Sequence, residues 1–524
     1  MGISHRGNIP GFESLYPQNR SMQTMHFKIP KEVVKVVETL KNGGFEAFLV
    51  GGCVRDLLTN KNPKDWDLTT NAKPEQIQGL FEKTVYENNF GTVAIVNEDL
   101  EQDSPVRVIE VTPYRTETTY SNNRHPDEVS FSENLEDDLK RRDFTMNAIA
   151  LEVKGFLMDS DKGQEVIIKD MYGGIKDIQE QTIRAVGDAN ERFQEDALRI
   201  MRAIRFSSQL GFMADSEVLE AMEKNKTLMA NISEERIRDE LVKIINSDDP
   251  MIAFVTMQRI GILPYVISEL EEMIKIEQGG EHIYDVWEHS LRALQNGADK
   301  KNPFHVRLAA LFHDIGKPRT RKPDPKGKGW TFYAHEVIGA RMTKKIMNRL
   351  HFSRETTEKV VSLVRWHMFF SDPDQITLSA VRRLIRNVGP ELVWDLMDVR
   401  RCDRIGMGRP KEAPYRLRKF EAMIDEVSRD PVSVKQLKLN GDIMLAELGM
   451  KPGREIGWIL HALLEEVLDD PKKNELEYQK CRAQELLDLP KEELKKLGEA
   501  GKEATEEAEE AELKEIRKKH KVGK

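Results

Sequence analysis

Two carboxylates two residues apart, Asp65 and Asp67, stand shortly after a Gly51-Gly52 pair. Residues 46–70 read EAFLVGGCVRDLLTNKNPKDWDLTT. The apolar run Ala47 to Val50 predicts a buried strand, and the glycines follow it at once. Glycine tolerates positive φ and lets the backbone approach a ligand closely. The VRDLL segment has the look of a helix start, so free N–H groups there would suit an anion. Lys61 to Lys64 reads as a turn, and Asp65-Trp66-Asp67-Leu68 as a second strand. On a strand, residues i and i+2 share a face. Asp65 and Asp67 would then lie side by side, where their repulsion calls for a cation. An all-oxygen site that also meets phosphates suits Mg²⁺. Strand, Gly-Gly, helix, turn and Asp-x-Asp together describe a site for a nucleoside triphosphate and one or two Mg²⁺.

The run Gly51-Gly52-Cys53-Val54-Arg55-Asp56 ahead of Asp65-Trp66-Asp67 resembles the head of the class II tRNA nucleotidyltransferase and bacterial poly(A) polymerase superfamily. Residues 138–150, DLKRRDFTMNAIA, on their own would suggest a capped strand or helix with a charged edge. Beside the first motif they are similar to the superfamily's second motif, RRD-[FL]-T-x-N-A. The resemblance implies that Arg55, Arg142, Asp143 and Asn147 belong to the nucleotide site. Arg142 would bind the triphosphate, since a guanidinium grips phosphate with two N–H donors, and Asn147 would hold the ribose end. A third acid is expected near the aspartates in a two-metal site. Glu110, in the strand-like VRVIEVTPYR, is the candidate for a catalytic trio with Asp65 and Asp67.

Residues 191–212, ERFQEDALRIMRAIRFSSQLGF, are read as one helix carrying Glu195, Asp196, Arg199, Arg202 and Arg205. On such a helix Asp196 and Arg199 are neighbours, Arg202 flanks them and Arg205 lies round the back. The string resembles the superfamily's nucleotide-selection motif, which adds Asp196, Arg199, Arg202 and Arg205 to the nucleotide site. Cytosine and adenine both present an exocyclic amine beside a ring-nitrogen acceptor. A carboxylate accepts from the amine and a guanidinium donates to the ring nitrogen, whereas uracil and guanine would set a carbonyl against the carboxylate. A site built on hydrogen bonds rejects the partner that leaves them unmade.

A second cluster contains His289, adjacent His313-Asp314 followed by Ile-Gly-Lys-Pro, then His335, His367 and Asp403. It resembles the HD metal-dependent phosphohydrolase superfamily. That resemblance implies His289, His313, Asp314 and Asp403 as metal ligands, with His335 and His367 left for a second metal or a phosphate. Imidazole and carboxylate donors suit a transition metal or Mg²⁺.

The elements that must hold these groups are legible in outline. The chain has 524 residues, enough for several domains, with 32% charged and 39% hydrophobic residues. Its net charge of −9 means that any RNA contact needs local basic patches. Arg382, Arg383, Arg386, Arg400, Arg401, Arg404, Arg416, Arg418 and Lys419 make one such region, and Arg321 to Gly329 (RKPDPKGKG) form a basic loop. Three separated cysteines, Cys53, Cys402 and Cys481, point to a reducing compartment and away from thiolate zinc. No apolar run reaches membrane-spanning length and MGISHRGNIPG lacks a signal-peptide core, so a cytoplasmic protein is expected.

Residues 1–27 are expected to be a loose tail. Lys31 to Asn42 has helical periodicity, and Pro74 to Lys83 reads as a helix opened by Asn71 or Thr70. TVYENNFGTVAIV and VRVIEVTPYR read as neighbouring strands, and residues 116–137 as a polar loop. One α/β domain thus spans about 28–155. From Glu191 onward nearly everything is helix-periodic, and residues 491–524 read as a solvated helix or disordered tail.

The expected fold is α+β. An α/β nucleotidyltransferase head with a small mixed sheet (28–155) precedes an all-α neck (156–250), an HD-type body (251–425), a tail (426–490) and a charged extension (491–524). Residues 436–470 resemble the tail-proximal segment of bacterial members, where tRNA would be met. The resemblance implies Mg²⁺-dependent transfer of CMP and AMP from CTP and ATP to a tRNA 3′ hydroxyl, with release of pyrophosphate. Alternatives are a poly(A) polymerase, an enzyme adding only C or only A, and, in another class, an HD phosphohydrolase with an RNA-binding head.

Overall fold

The computed structural model describes residues 24–86, 91–117, 129–154, 163–279, 283–325, 329–369, 376–428, 434 and 437–521. Residues 1–23 of the expected tail and 118–128 of the expected loop lie outside them. The chain forms two compact units, residues 1–364 and 365–524.

The first unit opens with β1 (Thr24–Phe27), α1 (Lys31–Asn42), β2 (Phe48–Val50), α2 (Gly52–Leu58), β3 (Trp66–Thr70) and α3 (Pro74–Leu80). Next come β4 (Thr84–Tyr86), β5 (Val93–Val96), β6 (Val108–Pro113), β7 (Arg115–Glu117), β8 (Val129–Phe131), α4 (Leu135–Lys140), β9 (Ile149–Lys154) and β10 (Gln164–Asp170). Eight of these strands make one mixed sheet in the order β1-β10-β9-β2-β3-β6-β5-β4. Only β3 and β6 run parallel, with Asp67 opposite Glu110. The remaining neighbours are antiparallel. The sheet therefore runs beyond the 28–155 segment: β1 before it and β10 after it pair with each other and extend the edge.

Local sequence explains these elements. The apolar face of α1 (Val33, Val34, Val36, Val37 and Leu40) is buried, each such side chain contributing about 1.5–3 kcal/mol. One turn of α4 sets Leu135 and Leu139 on Phe48, Val50 and Ala150. The first cap of α3 is Lys73, not Asn71 or Thr70: Gln76 reaches back and accepts from the Lys73 N–H at 2.8 Å. The segment expected to be a polar loop, 116–137, instead takes in the end of β7, all of β8, which pairs with β7, and the start of α4.

The unit continues with α5 (Gly174–Gln179), β11 (Thr182–Ile183), α6 (Ala189–Glu195), α7 (Leu198–Leu210), β12 (Met213–Ala214), α8 (Ser216–Asn225), α9 (Glu234–Ile245), α10 (Pro250–Ile260) and α11 (Leu263–Ile267). It then has α12 (Val286–Asp299), α13 (Phe304–Phe312), α14 (Lys317–Thr320), β13 (Lys322–Pro323), β14 (Trp330–Thr331), α15 (His335–Arg349) and all but the last two residues of α16 (Arg354–Trp366). The segment read as one helix over 191–212 is two. Asp196 breaks it with extended backbone (φ −142°, ψ 104°), and its carboxylate accepts from the Leu198 N–H at 3.1 Å. Aspartate competes for nearby backbone donors and so favours helix ends over helix interiors.

The second unit holds α17 (Leu378–Val388), α18 (Val393–Gly406), α19 (Tyr415–Ser428), α20 (Gly441–Glu447), α21 (Arg454–Asp469), α22 (Leu476–Leu487) and α23 (Lys491–Lys519). Its core includes Leu439, Met444, Ile459 and Leu463. The charge-dense end is helix α23, packed along α21 rather than solvated all round. Gly498 permits that approach, because a Cβ there would lie 2.5 Å from Trp458 Cα. Leu494 and Ile516 of α23 are buried. Among the described residues, no single helix is long and apolar enough to cross a membrane.

Candidate active site

A cleft of about 1140 Å³ in the first unit is lined by residues of the sheet and of α2, α7 and α9. On its sheet side, β3 brings Asp67 to the surface, with Asp65 just before the strand. The parallel register sets Glu110 of β6 beside Asp67, so their side chains share a face. Asp65 and Glu110 are exposed and Asp67 is partly buried. Burial pushes the Asp67 carboxyl above its ordinary value; Arg142 draws it down and Asp65 pushes it up again. Acids converging on one face with a raised carboxyl among them fit a hard divalent cation, which would neutralise them. Such an ion, when bound, activates an attacking oxygen and stabilises the leaving one.

Gly51 occupies the tight corner between strand and helix, at φ +77°. A Cβ there would lie 3.3 Å from both Arg142 Nη1 and Asp67 Oδ2. Only the bare backbone passes between that guanidinium and that carboxylate, with Gly52 starting α2. The thiol of Cys53 is directed at Val50 O, 3.1 Å away. Burial, with Asp67 next, pushes that thiol up to about 12, so it is not a nucleophile.

The second motif is a braced arginine cradle. Asp138, fully buried, pairs with both Arg141 and Arg142. Asp143 accepts from Asn147 Nδ2 at 3.2 Å and Arg202 Nε at 2.7 Å. Burial opposes the charge on Asp143, but Arg202, Asn147 and Arg199 outweigh it and hold the carboxyl near 2. Asn147 Oδ1 in turn accepts from Arg55 Nη1 at 3.0 Å.

The neck side differs from the one-helix reading. Arg199 is not the partner of Asp196: it pairs with Glu195 and donates to Arg141 O at 3.1 Å. Asp196 is gripped instead by Arg236 of α9, whose Nη1 and Nη2 donate at 3.2 and 2.7 Å to its two oxygens. One turn on, Glu240 pairs with buried Arg205 at 2.6 Å. Helix α9 thus presents a cation to the break and an anion to α7. The ring of Phe206 lies under Arg55, Arg202 and Arg205, at 5.3, 5.7 and 4.1 Å. Arg236, Glu240, Phe206 and Asp138 were not singled out in the sequence. The Arg236–Glu240 spacing, one turn apart on an amphipathic helix, is the one signal that pointed to α9.

In the first unit four of the HD residues meet. Asp314 lies 3.3 Å from His289 Nε2, 3.2 Å from His313 Nε2 and 3.3 Å from His335 Nε2. His289 and His313 bring their Nε2 atoms within 2.9 Å of each other. His313 Nδ1 faces Ala310 O at 2.7 Å and His335 Nδ1 faces Phe332 O at 2.8 Å. A carbonyl only accepts, so both Nδ1 atoms donate to it, and the Nε2 atoms are the ones directed at the Asp314 carboxylate. That is how metal-ligating imidazoles are oriented, and nitrogen with carboxylate donors fits a transition metal or Mg²⁺. Lys317 Nζ pairs with Asp314 at 2.6 Å. Burial opposes the Asp314 charge, but His313 and Lys317 hold its carboxyl well below the usual range. His367 and Asp403 fall in the second unit, where Asp403 on α18 accepts from Arg400 at 2.5 Å.

The family model of the poly A polymerase head domain matches residues 47–184. That described as a probable RNA and SrmB-binding site of polymerase A matches 211–274, and that of the HD domain matches 279–406. These matches fall on the segments whose motifs resemble the tRNA nucleotidyltransferase and poly(A) polymerase superfamily and the HD superfamily. It is 40% identical over 271 residues to the CCA-adding enzyme of Enterococcus faecalis, covering 51% of this chain and 60% of that protein. It is 42% identical over 221 residues to the CCA-adding enzyme of Lactobacillus helveticus, covering 41% and 51%. The chain thus spans about half to two thirds of the length of the curated relatives it matches. The fold is similar to that of the Bacillus stearothermophilus CCA-adding enzyme in complex with CTP, with a TM-score of 0.56 at 24% identity, covering 87% of this chain and 97% of that one. An α+β head followed by helices is the architecture expected from the sequence.

Proposed function

We propose that this chain is a CCA-adding tRNA nucleotidyltransferase, transferring CMP and AMP from CTP and ATP to a tRNA 3′ hydroxyl. The observation that carries the reading is one cleft with two unlike walls. On the sheet wall, Asp65, Asp67 and Glu110 gather anionic oxygens beside the Arg142 guanidinium at Gly51. On the neck wall, an oriented carboxylate, Asp196, and a guanidinium, Arg199, line the same space. The first wall suits a triphosphate with Mg²⁺. The second offers an acceptor and a donor to a base.

Arg142 is braced by Asp138, so its fork is held for phosphate without a rotamer search. Asp196 is held by Arg236 with both oxygens aligned, which keeps it aimed at an exocyclic amine. Arg199, fixed by Glu195 and the Arg141 carbonyl, donates to the ring nitrogen. A carbonyl in place of the amine meets the carboxylate and is repelled. Selection of C and A then needs no nucleic-acid template. The test is purified protein with tRNAs ending before the first C, after it and after the second C, each with a single labelled nucleotide. CMP on the first two and AMP on the third is expected. AMP added repeatedly to every acceptor would make the protein a poly(A) polymerase, and incorporation of C alone or A alone would make it a single-nucleotide enzyme.

The imidazole and carboxylate cluster around Asp314 favours a second activity in the same chain, metal-dependent phosphoester hydrolysis. His313 and His335, with Nδ1 donating to carbonyls, direct their Nε2 atoms at the Asp314 carboxylate, the side on which a metal ion would be held.

A further inference from the structure

The hairpin between α14 and α15 is exposed and aromatic, and neither of the proposed activities uses it. Strands β13 and β14 pair through Lys322 with Thr331 and Pro323 with Trp330. Trp330 is 37% exposed and Tyr333 is 80% exposed. Between them Phe332 turns inward: Lys317 Nζ lies 5.6 Å from its ring centroid, and its carbonyl accepts from His335 Nδ1. The chain then takes a left-handed turn at Ala334 (φ +63°), which a residue with a Cβ rarely adopts. The exposed ring of Tyr333 thus stands two residues, or about 7 Å of chain at most, from His335 of the Asp314 cluster.

The charge of the hairpin matches a polyanion. The Arg321 guanidinium lies 3.7 Å over the Trp330 ring, and Lys322 is exposed. Among the described residues of the hairpin Asp324 is the single acid, in a chain of net charge −9. Exposed rings interleaved with cations bind single-stranded nucleic acid, whose bases all offer a π-face and whose phosphates meet the cations.

We propose that Tyr333 and Trp330 form a stacking platform for a single-stranded polynucleotide, with Lys322 and Arg321 on its phosphates, leading a strand toward the Asp314 cluster. The inference deepens the reading of that cluster as a phosphoester site and names its substrate class as a strand rather than a small phosphate monoester. It is tested on the full chain with short oligouridylate and oligothymidylate probes, each carrying one photoreactive 5-iodopyrimidine. Crosslink yield is followed against probe concentration and the attached peptide is identified. The expected attachment is to Trp330 or Tyr333. Tyr333→Ala should raise the half-saturating concentration about tenfold or more, while Tyr333→Phe, which keeps the ring, should stay within about twofold. Preference for the ribose probe would make the strand RNA, and equal binding would make it either polynucleotide. Crosslinks that map only elsewhere, or Ala and Phe variants that behave alike, overturn the platform. So does self-association that depends on the two rings in a protein that gives no crosslink. Metal content measured on the same samples separates the two readings. Metal bound without a crosslink defeats the platform alone, and a crosslink in a protein that never holds metal defeats the hydrolytic site while the platform stands.

Discussion

Removing Arg236 tests how the neck wall works. Its two N–H donors meet both oxygens of Asp196 at 3.2 and 2.7 Å. Hydrogen bonds between charged groups contribute about 1.5–3 kcal/mol each. The side chains are 25% and 17% exposed, so solvent softens the pair and about 1.5–3 kcal/mol for the whole fork is the realistic figure. Arg236→Ala frees the Asp196 carboxylate to rotate. The expected result is a drop of about tenfold to a hundredfold in single-turnover incorporation of CMP and AMP, with a smaller ratio of CTP to UTP use. Asp196→Ala should do much the same, since it removes both the acceptor for the amine and the charge that repels a carbonyl. The double variant should be little worse than either single one, because all three disable one device. Arg236→Lys keeps the charge without the fork and should fall between. The assay is all four nucleotides with wild type, both single variants and the double, alongside thermal unfolding. If the two single effects add to within about 0.5 kcal/mol in the double variant, Arg236 does not act through Asp196 and the reasoning fails.

Asp67→Ala should abolish nucleotide transfer yet leave thermal unfolding unchanged or raised, because burial and Asp65 already disfavour the charge on Asp67; a folded variant with more than a tenth of the wild-type rate would refute the metal assignment. Asp143 is held near 2, below the ordinary 3.8, by Arg202, Asn147 and Arg199 against the cost of burial. Its stabilisation of roughly 2–3 kcal/mol is therefore complete above about pH 4 and lost as pH falls toward 2. Denaturant titrations from pH 5 downward should show Asp143→Asn less stable at pH 5 and with a flatter acid limb, and parallel limbs would contradict this. His313→Ala combined with Asp314→Ala should remove the metal bound by the HD cluster and any phosphoesterase activity while nucleotide addition continues, read by metal analysis and the two assays; equal metal content in variant and wild type would end the assignment. Gly498→Ala places a methyl where Trp458 Cα would be 2.5 Å away, so it should cost about 1–3 kcal/mol of overpacking, measured by chemical denaturation, and an unchanged midpoint would show that α21 and α23 are not packed this closely.

The sequence by itself carried the parts of this protein that depend on near neighbours. The strand, glycine corner and short helix over residues 47–58 follow from an apolar run, a residue free to take φ +77° and a helix-forming tail. The spacing of Asp65 and Asp67 announced a shared strand face, and His313-Asp314 with Gly316 announced a metal-type cluster. Tertiary structure decided what sequence separation hides. Glu110 is a neighbour of Asp67 only because β3 and β6 pair in parallel across 43 residues, and no period in either strand states that register. The helix through residue 196 broke because a carboxylate captured a backbone N–H and an arginine from another helix, two contacts that outweigh helical periodicity. Arg236 was not singled out in the sequence, and its meaning came from the packing of α9 against α7. The charged end, α23, read as solvated because charge counts ignore the glycine through which one helix backbone approaches another. Local pattern encodes what each segment prefers; which distant charge it meets is fixed only when the chain closes on itself.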